Sequence, residues 1–223
     1  MSTVEAPAVV CTQPVQRFVL HNVSWEEYGK FLEAIGENHV RVTYDRGSIE
    51  FMSPQPLHER YKHFFSLFFL ALSKETGVKI YGMGSTTFRR RDAGRGLEPD
   101  ECYYLQSAAR VRDLTTADLT VDPPPDLAIE VDITSSVLNR MEVYASLGIP
   151  EVWRCDGQVL EAYCLGANRC YERTPNSAAF PFLPLDEVLQ LIQHGLVGAD
   201  SVEWLEAAQE WLREDVLPRR QDS

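Results

Sequence analysis

The spacing of apolar residues predicts helices and strands in the first third of the chain. Apolar residues recur at helical intervals over 24–36, and Ser24 with Glu27 matches a capping box at the start of that helix. Over 40–52, two alternating segments flank a short turn that contains glycine, which is the pattern of a β-hairpin. A second helix begins at His58 and is apolar over much of its surface, so we expect it to lie in the core.

Short strands and helices continue to alternate through the rest of the chain. Strands are predicted over 17–20, 78–82, 85–91, 97–105, 126–132, 149–155 and 158–165. Helices are predicted over 134–148, 184–194 and 200–217, and the polar segment 107–120 is predicted to be irregular. This mixture indicates an α/β (α+β mixed) fold in a single domain over 17–217, with a loose N-terminal tail over 1–16 and a C-terminal tail over 218–223.

Composition and charge argue against several classes of protein. The 223-residue chain has a formal net charge of −12, which argues against a protein that coats nucleic acid nonspecifically but leaves room for a local basic groove. No apolar run is long enough to span a membrane, and residues 1–16 lack the pattern of a signal peptide. Five cysteines without metal-binding spacing suit reduced thiols, so we expect a cytoplasmic protein with no membrane partner.

Two predicted strands each carry a carboxylate among apolar neighbours, Asp100 in the first and Glu130 in the second. Glu130 and Asp132 share one face of their strand because side chains alternate along it. If the two strands are neighbours, Asp100 joins Glu130, and convergent carboxylates repel each other unless a cation lies between them. Mg²⁺ prefers such oxygen ligands. The alternative interpretation is that these acids end their strands and face water.

A second Pro-Asp dipeptide, ending at Asp126, competes with Asp100 for the role of first metal ligand. Asp126 lies four positions before Glu130 in the same predicted strand, about 13 Å away at roughly 3.3 Å per residue. One metal ion cannot contact both side chains unless the strand bends. We therefore assign Asp100 to the site and Asp126 to the entrance of its strand.

A basic segment and one further acid are also candidates for the functional site. Arg89, Arg90, Arg91 and Arg95 lie within seven residues of an otherwise acidic chain. Such a segment is suited to contact phosphates near the acids, and the alternative is a solvated hairpin tip. Glu59 begins the predicted core helix, where it either reaches the carboxylates or interacts favourably with the helix dipole.

Four segments carry a resemblance to a known family. They are L-E-P-D at 97–100, I-E-V-D-I-T at 129–134, Y-A-S-L-G-I-P-E-V-W at 144–153, and M-S-P at 52–54 followed by His58-Glu59. Together they resemble the bacterial Uma-type putative restriction endonuclease family over residues 17–195. That family belongs to the PD-(D/E)XK nuclease superfamily. The resemblance therefore implies a restriction-endonuclease-like core, in which helices flank a central mixed β-sheet, with β-hairpin additions.

The resemblance also implies an activity and a cofactor. It points to a divalent-metal-dependent endodeoxyribonuclease that uses Mg²⁺ or Mn²⁺ to hydrolyse phosphodiester bonds in DNA. Carried over to this chain, Asp100 and Glu130 hold the metal together with the Val131 carbonyl. Asp132 stands where the superfamily has its lysine, and it would position water or a second ion.

A basic residue on the following helix departs from the family pattern. Arg140 stands four residues before Tyr144, where the family has a lysine, and would stabilise the transition state with help from Glu59. An arginine keeps the positive charge but cannot readily act as a base. The alternative function is thus a catalytically weak or inactive nuclease fold that acts as a nucleic-acid-binding or regulatory module.

Apolar residues near the C-terminus bear on oligomeric state. Trp204, Leu205 and Trp211 lie on the last predicted helix. They indicate either a homodimer surface or packing into the core.

Overall fold

The computed structural model describes residues 16–36, 38–111, 119–133, 136–198 and 200–221, and the strands in this part of the chain form two sheets. The strands are β1 (Arg17–Leu20), β2 (Arg41–Asp45), β3 (Ser48–Met52), β4 (Tyr81–Gly82), β5 (Phe88–Arg90), β6 (Arg95–Leu97), β7 (Glu101–Tyr104), β8 (Leu127–Val131), β9 (Glu151–Cys155), β10 (Leu160–Leu165) and β11 (Tyr171–Thr174). The first sheet has the order β1-β3-β2-β6-β5 and is antiparallel throughout. The second has the order β11-β10-β9-β8-β7-β4, and its β8–β9 pair is parallel.

Helices pack against both sheets. They are α1 (Trp25–Ile35), α2 (Pro56–Thr76), α3 (Ala108–Val111), α4 (Arg140–Leu147), α5 (Leu185–Leu196), α6 (Ser201–Trp211) and α7 (Leu217–Gln221), with a π-helical turn at Leu212–Val216 between the last two. Helix α1 lies on the first sheet, and α2 and α4 lie on opposite faces of the second. The predicted capping box of α1 is confirmed, because the Ser24 side chain accepts the Glu27 N–H and the Glu27 side chain accepts the Ser24 N–H. The mixed α/β class is confirmed as well.

Hydrophobic side chains pack against both faces of the second sheet. On one face, Phe69 of α2 stacks on Tyr103 of β7 and packs against Trp153 of β9. On the other face, α4 buries Val143 in a cluster that includes Ala128 and also Leu97 from the first sheet. Helix α4 therefore lies between the two sheets, and its N-terminal end faces the strands that carry the candidate acids.

The N-terminal boundary of α4 differs from the prediction. Thr134 and Ser135, two of the predicted capping residues, lie outside the described residues. The helix begins at Arg140, and Asn139 caps it by accepting the Glu142 N–H. Ser136 lies four residues before the helix and does not cap it, and its hydroxyl donates to a carboxylate of the first sheet, as described below.

Other predicted boundaries also shift. The hairpin predicted over 40–52 is confirmed as β2 and β3, but it belongs to a separate antiparallel sheet rather than extending a single central one. The strands predicted over 78–82 and 85–91 shorten to β4 and β5. The polar segment 107–120 contains α3, while 112–118 lies outside the described residues, as do residues 1–15 of the tail predicted over 1–16. The predicted C-terminal tail is helical up to Gln221.

The C-terminal tryptophans pack inward. Trp204 is fully buried, and Leu205 and Trp211 pack against the main hydrophobic core. This packing favours the core interpretation of these residues, and the homodimer stays a prediction. Across the described residues, no helix has both the length and the apolar character needed to cross a membrane.

Candidate active site

Glu130 lies in β8, and Asp100 lies in the link that divides the strand predicted over 97–105, one residue before the neighbouring strand β7. Strands β7 and β8 pair with Glu101 opposite Ile129, and the Asp100 N–H donates to the Ile129 carbonyl at 3.1 Å. Extending that antiparallel register by one residue places Asp100 beside Glu130 on the face that α4 covers. Both side chains are buried. The two acids therefore meet where the second sheet faces the start of α4.

Asp100 is held by positive groups from two distant segments. Arg41 of β2 donates to its Oδ1, and the same Arg41 nitrogen donates to the Pro99 carbonyl at 3.1 Å. His58 of α2 places Nε2 3.1 Å from Oδ1, and the Val131 N–H donates to Oδ2 at 2.5 Å. Burial favours a higher pKa for Asp100, but the charge of Arg41 and the contact with His58 lower the pKa well below its usual range.

His58 carries a positive charge in this setting. Burial would lower its pKa, but Asp100 and Glu59 raise the pKa to about 9. Glu59 lies 3.3 Å from His58 Nδ1 and 3.6 Å from Arg41 Nη2, so it does reach the network. Its carboxylate is about half exposed, and the contact with His58 lowers its pKa to about 2. Glu59 thus forms the solvent-facing side of the cluster.

Glu130 is bound by residues of α4. Arg140 donates from Nε to Oε1 at 2.5 Å and from Nη2 to Oε2 at 2.9 Å, which is a bidentate ion pair. The Tyr144 hydroxyl donates to Oε2 at 2.6 Å. Arg140 also donates to Thr43 Oγ1 at 2.5 Å and to the Glu98 carbonyl at 2.8 Å. Because Arg140 and Tyr144 are one helical turn apart, both side chains reach the same carboxylate.

A third buried carboxylate lies on the face of the first sheet that covers the site. Glu50 of β3 is paired in register with Thr43 of β2. Its oxygens accept from Arg17 at 3.0 Å, from the Ser136 hydroxyl at 2.6 Å and from the Val137 N–H at 2.7 Å. Glu50 therefore fixes the segment that leads into α4.

Asp132 lies at the edge of this network rather than inside it. Its carboxylate accepts from Arg154 at 2.6 Å, and its N–H donates to the Cys155 carbonyl at 2.7 Å. Arg154 stands opposite Glu130 in the β8–β9 register. Asp132 is thus near Glu130 through a shared neighbour, and its proposed role with water stays a prediction.

The basic segment is largely paired with acids. Arg90 bonds to Asp92 at 3.1 Å, and Arg91 bonds to Glu26 at 2.5 Å. Arg95 bonds to Asp45 at 2.7 Å and reaches Glu142 of α4 at 3.1 Å. Arg90, Arg91 and Arg95 thus have acidic partners in the chain, and the phosphate contacts predicted for them stay a prediction. For Arg89, whose side chain is exposed, the DNA contact also stays a prediction.

The comparisons with known proteins identify the family. The sequence profile of Uma2, described as a putative restriction endonuclease, matches residues 25–197. The chain belongs to the Uma2 family. The crystal structure of a putative nuclease belonging to DUF820 from Anabaena variabilis is similar to 74% of this chain and 90% of its own, at 16% identity and a TM-score of 0.44. No curated protein matches the chain.

The residues of this Uma2 site, as arranged here, do not fit a divalent metal. Asp100 and Glu130 have all four carboxylate oxygens engaged by donors of the chain. Within the described residues, no three or more His, Cys, Asp or Glu side chains form a group that could hold a metal ion. The Val131 N–H donates to Asp100, and the role predicted for the Val131 carbonyl as a metal ligand stays a prediction. The Mg²⁺ or Mn²⁺ cofactor stays a prediction.

Several residues of the Uma2 site were missed by the sequence analysis. Arg41 and Thr43 alternate with apolar residues in β2, which indicates only that they share one face of a strand. His58 was noted as a helix start and Tyr144 only as part of the family motif. The i, i+4 spacing of Arg140 and Tyr144 was the one signal that could have placed both on Glu130.

Proposed function

We propose that this Uma2 chain is a nuclease that hydrolyses phosphodiester bonds in DNA at the site formed by Asp100 and Glu130. The observation that carries the proposal is the burial of Asp100, just before β7, and of Glu130, in the neighbouring β8, close to a helix that supplies Arg140 to Glu130. Membership of a family described as restriction endonucleases supports a nucleic acid as the substrate. Dependence on Mg²⁺ or Mn²⁺ is part of the proposal and rests on the resemblance alone.

The side chains of the site supply the charge that phosphoryl chemistry needs. Arg41 and Arg140 carry fork-shaped guanidinium groups that match the oxygens of a phosphate. His58 is protonated at neutral pH and is a donor at both ring nitrogens. Negative charge that develops on a phosphodiester in the transition state would be stabilised by these donors.

A specific observation favours a second candidate function. Arg140 binds Glu130 in a bidentate pair and Arg41 binds Asp100, so both acids are neutralised without a metal. A nuclease fold kept in this state would bind nucleic acid without cleaving it. The second candidate is therefore a binding or regulatory module.

Cleavage assays with a matched blank separate the two functions. Plasmid DNA, single-stranded DNA and RNA are incubated with the parent chain in EDTA and across a series of Mg²⁺, Mn²⁺ and Ca²⁺ concentrations. Glu130→Gln serves as the blank, because it keeps the shape of the side chain and removes its charge. DNA cleavage by the parent that is lost in Glu130→Gln supports the nuclease. Equal cleavage by both proteins indicates a contaminant, and binding without cleavage by either supports the module.

A further inference from the structure

We propose that Arg140 is a built-in counter-ion that competes with divalent cations for Glu130, so that the free protein binds Mn²⁺ weakly and loss of the guanidinium opens a cation site at Glu130 and Asp100. The inference rests on the proposed nuclease site. Its test measures metal binding in the absence of DNA, so it can fail while cleavage is observed, and it can succeed when no cleavage is found.

The geometry holds Arg140 firmly on Glu130. Both oxygens of Glu130 accept from the guanidinium, and the Tyr144 hydroxyl takes a further lone pair of Oε2. The remaining nitrogen of Arg140 donates to Thr43, and the side chains of Arg140 and Glu130 are only 10% and 9% exposed. A cation can coordinate Glu130 only after this buried ion pair has been broken.

The balance of charges in the site also indicates that the free protein binds a divalent cation weakly. Three buried or nearly buried carboxylates each have an arginine of their own: Asp100 with Arg41, Glu130 with Arg140, and Glu50 with Arg17. The formal charges of these pairs cancel. A divalent cation placed among these three pairs would add two positive charges to a poorly solvated region in which the pairs themselves supply no spare negative charge.

Removing one guanidinium should therefore change metal affinity directly. In Arg140→Gln the carboxylate of Glu130 keeps a neutral donor but loses its cation, so it becomes available to Mn²⁺. Arg41 still neutralises Asp100 in this variant. We expect Mn²⁺ to bind at least about tenfold more tightly than to the parent, which is a modest share of the interaction between two charges in contact.

The experiment titrates Mn²⁺ into the full chain and follows the free ion by electron paramagnetic resonance. The proteins are the parent, Arg140→Gln, Arg140→Met, and Arg140→Gln combined with Glu130→Gln. The matched control is Arg95→Gln, because the Arg95 side chain is 11% exposed and also binds two carboxylates, Asp45 and Glu142. Circular dichroism and the change in melting temperature with Mn²⁺ report folding.

Each outcome decides the inference. Support is a weak parent site, a tighter site in the two Arg140 variants, loss of that gain in the double variant, and no gain in Arg95→Gln. A stoichiometric micromolar Mn²⁺ site in the parent overturns it even if both single variants fail to fold. An unchanged affinity in Arg140→Gln, a gain that survives Glu130→Gln, or an equal gain in Arg95→Gln overturns it as well.

Discussion

The ion pair between Arg41 and Asp100 should be one of the most sensitive points of the fold. Arg41 is 5% exposed and Asp100 is 2% exposed, so both charges have lost most of their hydration. Arg41→Met leaves the Asp100 carboxylate with His58 as its nearest cation. Removing one partner of a buried pair typically costs about 3–5 kcal/mol. Coulomb's law gives a similar figure, about 4 kcal/mol for charge centres ~4 Å apart at an effective dielectric constant of about 20.

A double-mutant cycle measures this interaction. The parent, Arg41→Met, Asp100→Asn and the double variant are unfolded with urea in EDTA, and the free energies of unfolding come from linear extrapolation. Asp100→Asn keeps an acceptor for the Val131 N–H, so the change is mainly one of charge. We expect a coupling energy of at least about 2 kcal/mol, with the double variant more stable than Arg41→Met.

A surface pair provides the control for the cycle. Arg173 is 69% exposed and binds Glu161 at 3.0 Å, so Arg173→Met should change the free energy of unfolding by less than about 1 kcal/mol. A coupling energy between Arg41 and Asp100 below about 0.5 kcal/mol would refute the reasoning, because it would mean that the pair is solvated or is not formed.

Three further predictions concern activity, pH and DNA affinity. Arg140→Lys should raise the rate of plasmid cleavage if the chemistry needs a base there, whereas a rate that holds or falls modestly assigns the guanidinium a purely electrostatic role. The pKa of His58 in the folded protein, about 9, lies above its ordinary value of 6.5, so its contribution to stability is complete below pH 6.5 and is lost as the pH rises to 9. Unfolding with urea should therefore show a steeper fall in stability over that range for the parent than for His58→Asn, and parallel curves would contradict this. Replacing the four arginines of 89–95 should weaken DNA binding and flatten its salt dependence in fluorescence anisotropy, and an unchanged slope would return them to a structural role.

Local patterns account for the part of the fold that the sequence predicted. The capping box at Ser24 and the hairpin over 40–52 depend on contacts within a few residues, and both form. Asp126 was assigned to a strand entrance, and its carboxylate accepts the backbone N–H groups of Leu105, Gln106 and Ser107. The separate first sheet was not predicted. Its strands β2 and β6 are far apart in the sequence, with Asp45 paired to Arg95, and alternation does not specify which strand is the partner.

The contacts of the candidate site were also difficult to predict, because they join residues that are far apart in the sequence. Alternation suggested that Asp100 would join Glu130 if their predicted strands were neighbours, and β7 and β8 do pair. The sequence showed that these acids need a positive partner, but it could not show which one. Arg41 lies 59 residues from Asp100 along the chain, so no short-range pattern connects them. The acids that pair with Arg91 and Arg95 could not be predicted for the same reason, since they lie 65 and 50 residues away.

The charge of the site makes the nuclease proposal and the counter-ion inference compatible. Because Arg41 and Arg140 already cancel the charges of Asp100 and Glu130, a metal alone leaves two uncompensated positive charges in the site. A phosphodiester alone adds one negative charge and competes for the same guanidinium groups. Bound together, the two ligands change the net charge less than the metal does alone, and the phosphate offers the arginines a partner in place of the carboxylates. Weak metal binding by the free protein is therefore what a DNA-dependent nuclease with this arrangement should show.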